Sequence, residues 1–217
     1  MSKVFIIGAT GGVGSRLGPM LVEAGHDVTG LHRHPDQADK LLSAGITPWL
    51  GDIMFLSVAE LAVATRDCDV VVFTAGAAGS GPERTTAIDG EGLIKTVHAA
   101  RANDIARVYL VSAFMDAGRA QPRKDGFEHY MKVKRQADNA LAQSELDWVI
   151  LRPGTLVSED GNGRVNAGLA ISYGSVARGN VARMLAALID TPAIRREIIE
   201  LTDGDILVPD AVMSLQR

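Results

Sequence analysis

Apolar positions in this chain fall in short, nearly unbroken runs separated by longer stretches of mixed polarity. Residues 4–7 and 70–74 are almost pure Val, Ile and Phe, and further β-rich runs occupy 28–31, 47–50, 108–112, 148–151 and 197–201. A strand covered on both faces needs continuous rather than alternating apolar content, so these runs predict parallel strands between helical layers. Helical segments are read between them at 12–24, 35–44, 56–65, 84–102, 126–143 and 181–189. The alternation is that of an α/β, doubly wound sheet, mostly parallel, with helices on both faces. The pattern changes after Pro153: residues 154–179 contain six glycines, Gly154 and Gly179 included, and few large apolar residues accompany them. Residues 154–180 therefore read as a long substrate-side loop within a single domain spanning 1–217.

Composition narrows the class. With 217 residues and 47% hydrophobic content the chain can bury one sizeable core. A net charge of -4 gives no long-range positive field, which argues against nucleic acid as a partner while leaving room for a local phosphate pocket. The single Cys68 cannot form an internal disulfide, no run is long and apolar enough to predict a membrane span, and the start resembles no signal peptide. A cytoplasmic protein acting on a small molecule is expected. Cys68 sits between Asp67 and Asp69, whose charge disfavours a thiolate, so it reads as inert.

The candidate chemistry begins at Gly8, Ala9, Thr10, Gly11, Gly12, Val13 and Gly14, which follow the first strand and open the first helix. In that setting the first glycine permits a tight turn and the second a close backbone approach to pyrophosphate. The third allows helix and strand to pack closely, and the helix N-terminus faces the phosphate charge. About 20 positions further on, an acidic residue binds the ribose of NAD and an Arg accepts the extra phosphate of NADP. Here His32, Arg33 and His34 occupy that place, with no carboxylate before Asp36, so NADP(H) is favoured over NAD. Arg33 also reads as a solvated strand-end charge, and the histidines either stack on adenine or lie in solvent.

These features resemble the short-chain dehydrogenase/reductase superfamily, whose extended and atypical branches use the spacing of Gly8, Gly11 and Gly14. The likeness continues at Gly51, Asp52 and Ile53, at Thr74, Ala75 and Gly76, at Ser112, at Tyr130 with Lys134, and at Arg152, Pro153 and Gly154. It covers about three quarters of the chain and is nearest to small atypical NAD(P)-binding, epimerase/dehydratase-like members. It implies a Rossmann fold. It also implies Asp52 and Ile53 beside the adenine, Thr74, Ala75 and Gly76 beside ribose and nicotinamide, and the backbone after Pro153 at the carboxamide. Asp52 equally suits a helix cap near Leu56.

Tyr130 and Lys134 are four apart and share one helix face. The resemblance gives Tyr130 the proton exchanged with substrate, Lys134 the nicotinamide ribose, and Ser112 a hydrogen bond to the substrate oxygen. A phenol with a reference pKa near 10 needs roughly 4 kcal/mol of help to ionise at neutral pH, which a nearby ammonium and an oxidised nicotinamide would supply. Alternatively, Tyr130 and Lys134 form a surface aromatic–cation pair, and Ser112 ends a strand. An NADP(H)-dependent oxidoreductase is the first reading. A catalytically silent dinucleotide sensor is the second, and a sugar epimerase, which carries a larger carboxyl-terminal domain, is the third.

Overall fold

A computed structural model describes residues 1–117 and 125–216. Five parallel strands form the centre of the sheet: β1 (Lys3–Ile7), β2 (Asp27–His32), β4 (Val70–Phe73), β5 (Arg107–Val111) and β6 (Asp147–Pro153). With β3 (Thr47–Leu50) and the later β8 (Arg164–Gly168), β10 (Glu197–Asp203) and β11 (Ile206–Leu207) they make nine strands in the order β11-β8-β10-β6-β5-β4-β1-β2-β3. Only the pairings of β8, with β10 and β11, are antiparallel. The fold is the doubly wound Rossmann arrangement, with helices on both faces.

The buried runs divide between those faces by strand alternation. Val4 and Ile6 of β1 pack with α1 (Gly14–Glu23), α7 (Arg178–Ile189) and α8 (Val208–Leu215). Phe5 and Ile7 point the other way, into the layer holding α3 (Val58–Ala64), α5 (Leu93–Ala102) and α6 (Asp125–Ala142). The short α2 (Ala38–Ser43) places Leu41 in the first of these layers.

Two expectations differ from the structure. The single helix read over 84–102 is three pieces: α4 (Pro82–Thr85), a π-helical stretch over Thr86–Gly92, then α5. The wider π-helical turn shifts the helix register and moves Asp89 into a buried position. The segment 154–180 contains β8 together with a parallel pair, β7 (Thr155–Val157) and β9 (Ser175–Ala177), and α7 begins at Arg178. Its glycines permit close approaches rather than an open loop; a Cβ on Gly154 would collide with the Gly174 carbonyl. Among the described residues no helix is long and apolar enough to cross a membrane.

Candidate dinucleotide site

Chain order along the sheet reverses between β1 and β4, and open α/β sheets bind ligands beyond the strand ends at such a point. A cavity of about 1000 Å³ opens there. The glycine turn forms one wall. Gly8 has φ +91°, and a Cβ on it would stand 2.6 Å from the Ala75 backbone nitrogen, so only glycine lets β1 end this close to β4. Thr74 fastens the same junction by donating from Oγ1 to the carbonyls of Ile7 (3.1 Å) and Gly8 (3.2 Å). A Cβ on Gly14 would run into the Gly8 carbonyl, which is the close helix–strand packing expected of the third glycine.

The structure brings many of the expected residues together. Gly8, Thr10, Gly11, Gly12 and Val13 line the cavity, as do Arg33, Ile53, Thr74, Ala75, Gly76 and Tyr130. Others stand behind it. Gly14 packs inside the turn, and His32 is buried with Nδ1 3.0 Å from the His34 carbonyl. Asp52 accepts from the Met54 amide (2.9 Å) and shapes the turn carrying Ile53; the helix cap is Ser57, in a reciprocal pair with Glu60. Lys95 reinforces that turn by donating to the carbonyls of Ile53 (2.6 Å) and Leu56 (2.8 Å). The hydrogen-bonding groups offered to a carboxamide are engaged elsewhere. The Pro153 carbonyl accepts from the Phe114 amide, the Gly154 amide donates to Leu201, and neither residue lines the cavity.

A dinucleotide fits what is there. The backbone N–H groups of Gly12 and Val13, at the head of α1, have no acceptor among the described residues. The Arg33 side chain has no carboxylate partner among them. Its backbone amide is held by Gln37 Oε1 (3.1 Å), which also accepts from His34. Donors without acceptors at the turn, and an unpaired guanidinium at the end of β2, suit the pyrophosphate and a ribose phosphate.

The proton-transfer groups form a network beneath the cavity. Lys134 is buried, donates to the Val111 carbonyl (3.0 Å) and lies 3.5 Å from Asp89 Oδ1, while Asp89 Oδ2 accepts from the Ala77 amide (2.9 Å). Ser112 Oγ donates to Asp138 Oδ1 at 2.5 Å and does not line the cavity. Arg152 pairs with the other oxygen of Asp138 at 2.9 Å. Burial raises the Asp138 carboxyl above its ordinary range against the opposing pull of Ser112, Arg152 and Lys134. Burial, followed by the charges of Asp89 and Asp138, also pushes the Tyr130 phenol above its ordinary pKa. The easing of Tyr130 expected from Lys134 and an oxidised nicotinamide therefore works against burial first and against Asp89, which lies 3.5 Å from the Lys134 ammonium.

Asp89, Asp138 and Arg178 were missed by sequence reasoning. Asp138 carried a signal: it continues the spacing of four from Tyr130 and Lys134 along α6. Asp89 gave none, since its burial follows from the π-helical turn. Arg178 lines the cavity from α7, far along the chain from the glycine turn.

Comparison with known proteins decides the family. Residues 8–192 match the model for NAD(P)H-binding domains. This chain belongs to the NAD(P)H-binding family. A relative from Bacillus subtilis, named an uncharacterized sugar epimerase, is 33% identical over 215 residues, covering 98% of this chain and 100% of its own. A Bacillus halodurans structure carrying the name of an NAD-dependent epimerase/dehydratase, itself given provisionally, superposes with a TM-score of 0.90 at 29% identity. It covers 99% of this chain and 100% of its own. A Veillonella parvula short-chain dehydrogenase/reductase, solved with NADP, shares the fold at a TM-score of 0.74 and 19% identity, over 94% of this chain and 96% of its own.

Proposed function

We propose that the protein is an NADP(H)-dependent oxidoreductase acting on a small carbonyl or hydroxyl compound. One observation carries this reading: the cavity beside the glycine turn is lined both by Arg33 after β2, which has no carboxylate partner among the described residues, and by the Tyr130 phenol from α6. Gly8, Gly11, Gly12 and Val13 hold the pyrophosphate, Arg33 the ribose phosphate, and Ile53 the adenine face. When bound, the nicotinamide supplies hydride to the substrate carbon or takes it away. Tyr130 exchanges the proton at the substrate oxygen. Its raised pKa keeps that proton in place at neutral pH, so the resting side chain is a proton donor, as carbonyl reduction requires. Lys134 is fixed by Val111 and Asp89 and does not itself line the cavity, so a bond from its third ammonium proton to the nicotinamide ribose needs a side-chain shift on cofactor binding.

The test is NADPH consumption with aldehydes, ketones and sugars, run beside Tyr130→Phe. Turnover in the wild type, and its loss in Tyr130→Phe with cofactor affinity retained, supports the assignment. Equal affinity for NADPH and NADH would overturn the cofactor choice.

A dinucleotide sensor without turnover is the second reading. It is favoured by Ser112, whose hydroxyl is committed to Asp138 rather than offered to a substrate oxygen. No consumption of NADPH with any carbonyl compound, together with tight dinucleotide binding, is its expected result. Epimerisation, suggested by the name of the Bacillus subtilis relative, would interconvert sugars without net consumption and is read from the sugar products formed with the oxidised dinucleotide.

A further inference from the structure

We propose that Arg178 is a ligand of the dinucleotide pyrophosphate, reaching the glycine turn from the last third of the chain. The inference rests on the family's dinucleotide site, and it depends on neither the NADP preference nor turnover.

Arg178 is the first residue of α7, directly after β9, and its stem lies against Gly12. A Cβ on Gly12 would fall 2.6 Å from Arg178 Cδ and 2.7 Å from Nε. The glycine therefore leaves the space that this arginine occupies, and the guanidinium is held at the turn. Among the described residues its hydrogen bond is to a neutral group, from Nη1 to Ser158 Oγ at 3.0 Å, and no carboxylate neutralises it. Neighbouring Arg16 is different: its Nε meets Asp160 at 2.7 Å, and its other nitrogens donate to the carbonyls of Gly12 and Ser158.

Arg16 thus fastens the bend around Ser158 and Asp160 to α1, and that bend presents Ser158 Oγ to Arg178. A guanidinium has five N–H donors, so several remain. The guanidinium stands at Gly12, whose amide, like that of Val13, has no acceptor among the described residues. A cation and two amides that lack partners among the described residues, meeting at one turn, call for an anion there. The group that this turn receives in a dinucleotide is the pyrophosphate, and a planar guanidinium suits its oxygens.

The test measures affinity by calorimetry with NADPH, NADH and adenosine 2'-monophosphate, which has the ribose phosphate and neither phosphate of the pyrophosphate. Arg178→Met keeps the stem over Gly12 and removes the charge. It should weaken both dinucleotides by the same factor, about tenfold or more, and leave the monophosphate within about twofold. Arg33→Ala should show the complementary pattern, weakening NADPH and the monophosphate while sparing NADH. An Arg33→Ala without effect would sink the NADP preference alone. Arg178→Gln is measured in parallel so that a loss of fold in one variant, read from thermal melting, leaves the other to decide. Arg178→Lys should lose an intermediate amount. Wild-type affinity for both dinucleotides in the folded variants overturns the proposal, and so does an equal loss for the monophosphate.

Discussion

Replacing Asp89 by Asn tests the buried pair whose carboxylate adds to burial in raising the Tyr130 pKa. Asp89 and Lys134 are each about 3% exposed and 3.5 Å apart. At an effective dielectric constant of about 20, unit charges at that distance attract by about 5 kcal/mol, and losing one partner of a buried pair typically costs about 3–5 kcal/mol. Asp89→Asn should therefore destabilise the fold by about 3 kcal/mol or more in urea unfolding, a large part of an ordinary domain's margin. Lys134→Met should cost a similar amount by stranding the carboxylate. The double variant replaces a buried ion pair by neutral groups and should recover most of the loss. The Tyr130 phenol provides the second readout. Removing the Asp89 charge takes away a cause of its raised pKa and exposes it to an uncompensated Lys134, so its ionisation should move to lower pH. Phenolate absorbance, taken as the difference from Tyr130→Phe, follows this directly. Additive single-variant losses of under about 1 kcal/mol each, or a Tyr130 titration unmoved in Asp89→Asn, would refute the coupling.

Three further outcomes separate structure from binding. Gly8→Ala should lower stability by about 2 kcal/mol or more in chemical denaturation, since alanine resists φ +91° and its methyl meets the Ala75 backbone. Gly11→Val should instead keep the fold and lose dinucleotide affinity, because a Cβ at Gly11 meets only the Gly8 carbonyl, at 3.2 Å, and its branches enter the cavity; circular dichroism and calorimetry on one sample distinguish the two. Burial, then Asp67 and Asp69, pushes the Cys68 thiol up from 9.0 to about 11, so thiolate-dependent labelling of the native protein should rise around pH 11, and a midpoint near 9 would contradict the burial argument.

Local rules carried the sheet and the glycine turn because both depend on short-range chemistry. A run such as 70–74 has few alternatives to a covered strand, and the spacing of Gly8, Gly11 and Gly14 is meaningful only between a strand and a helix. The remainder depended on contacts between distant segments. Ser112 follows β5, but its orientation toward Asp138 is set when α6 packs against that strand. Asp89 turns inward because seven residues adopt the π-helical form, which the apolar pattern of 84–102 does not announce. The glycines between 154 and 180 read as looseness, yet several mark tight crossings: a Cβ on Gly179 would collide with the Asp160 carbonyl.

The fastening of α1 to the Ser158–Asp160 bend also bears on the order in which the molecule is completed during synthesis. The first βα unit, with its glycine turn, leaves the ribosome early. The groups that meet it, Ser158, Asp160 and Arg178, follow more than a hundred residues later. A nascent chain stalled before them has the turn without its cover and forms contacts of very long sequence separation only at the end. On the role proposed for Arg178, dinucleotide capture at full strength waits until the last third has docked and reports that it has.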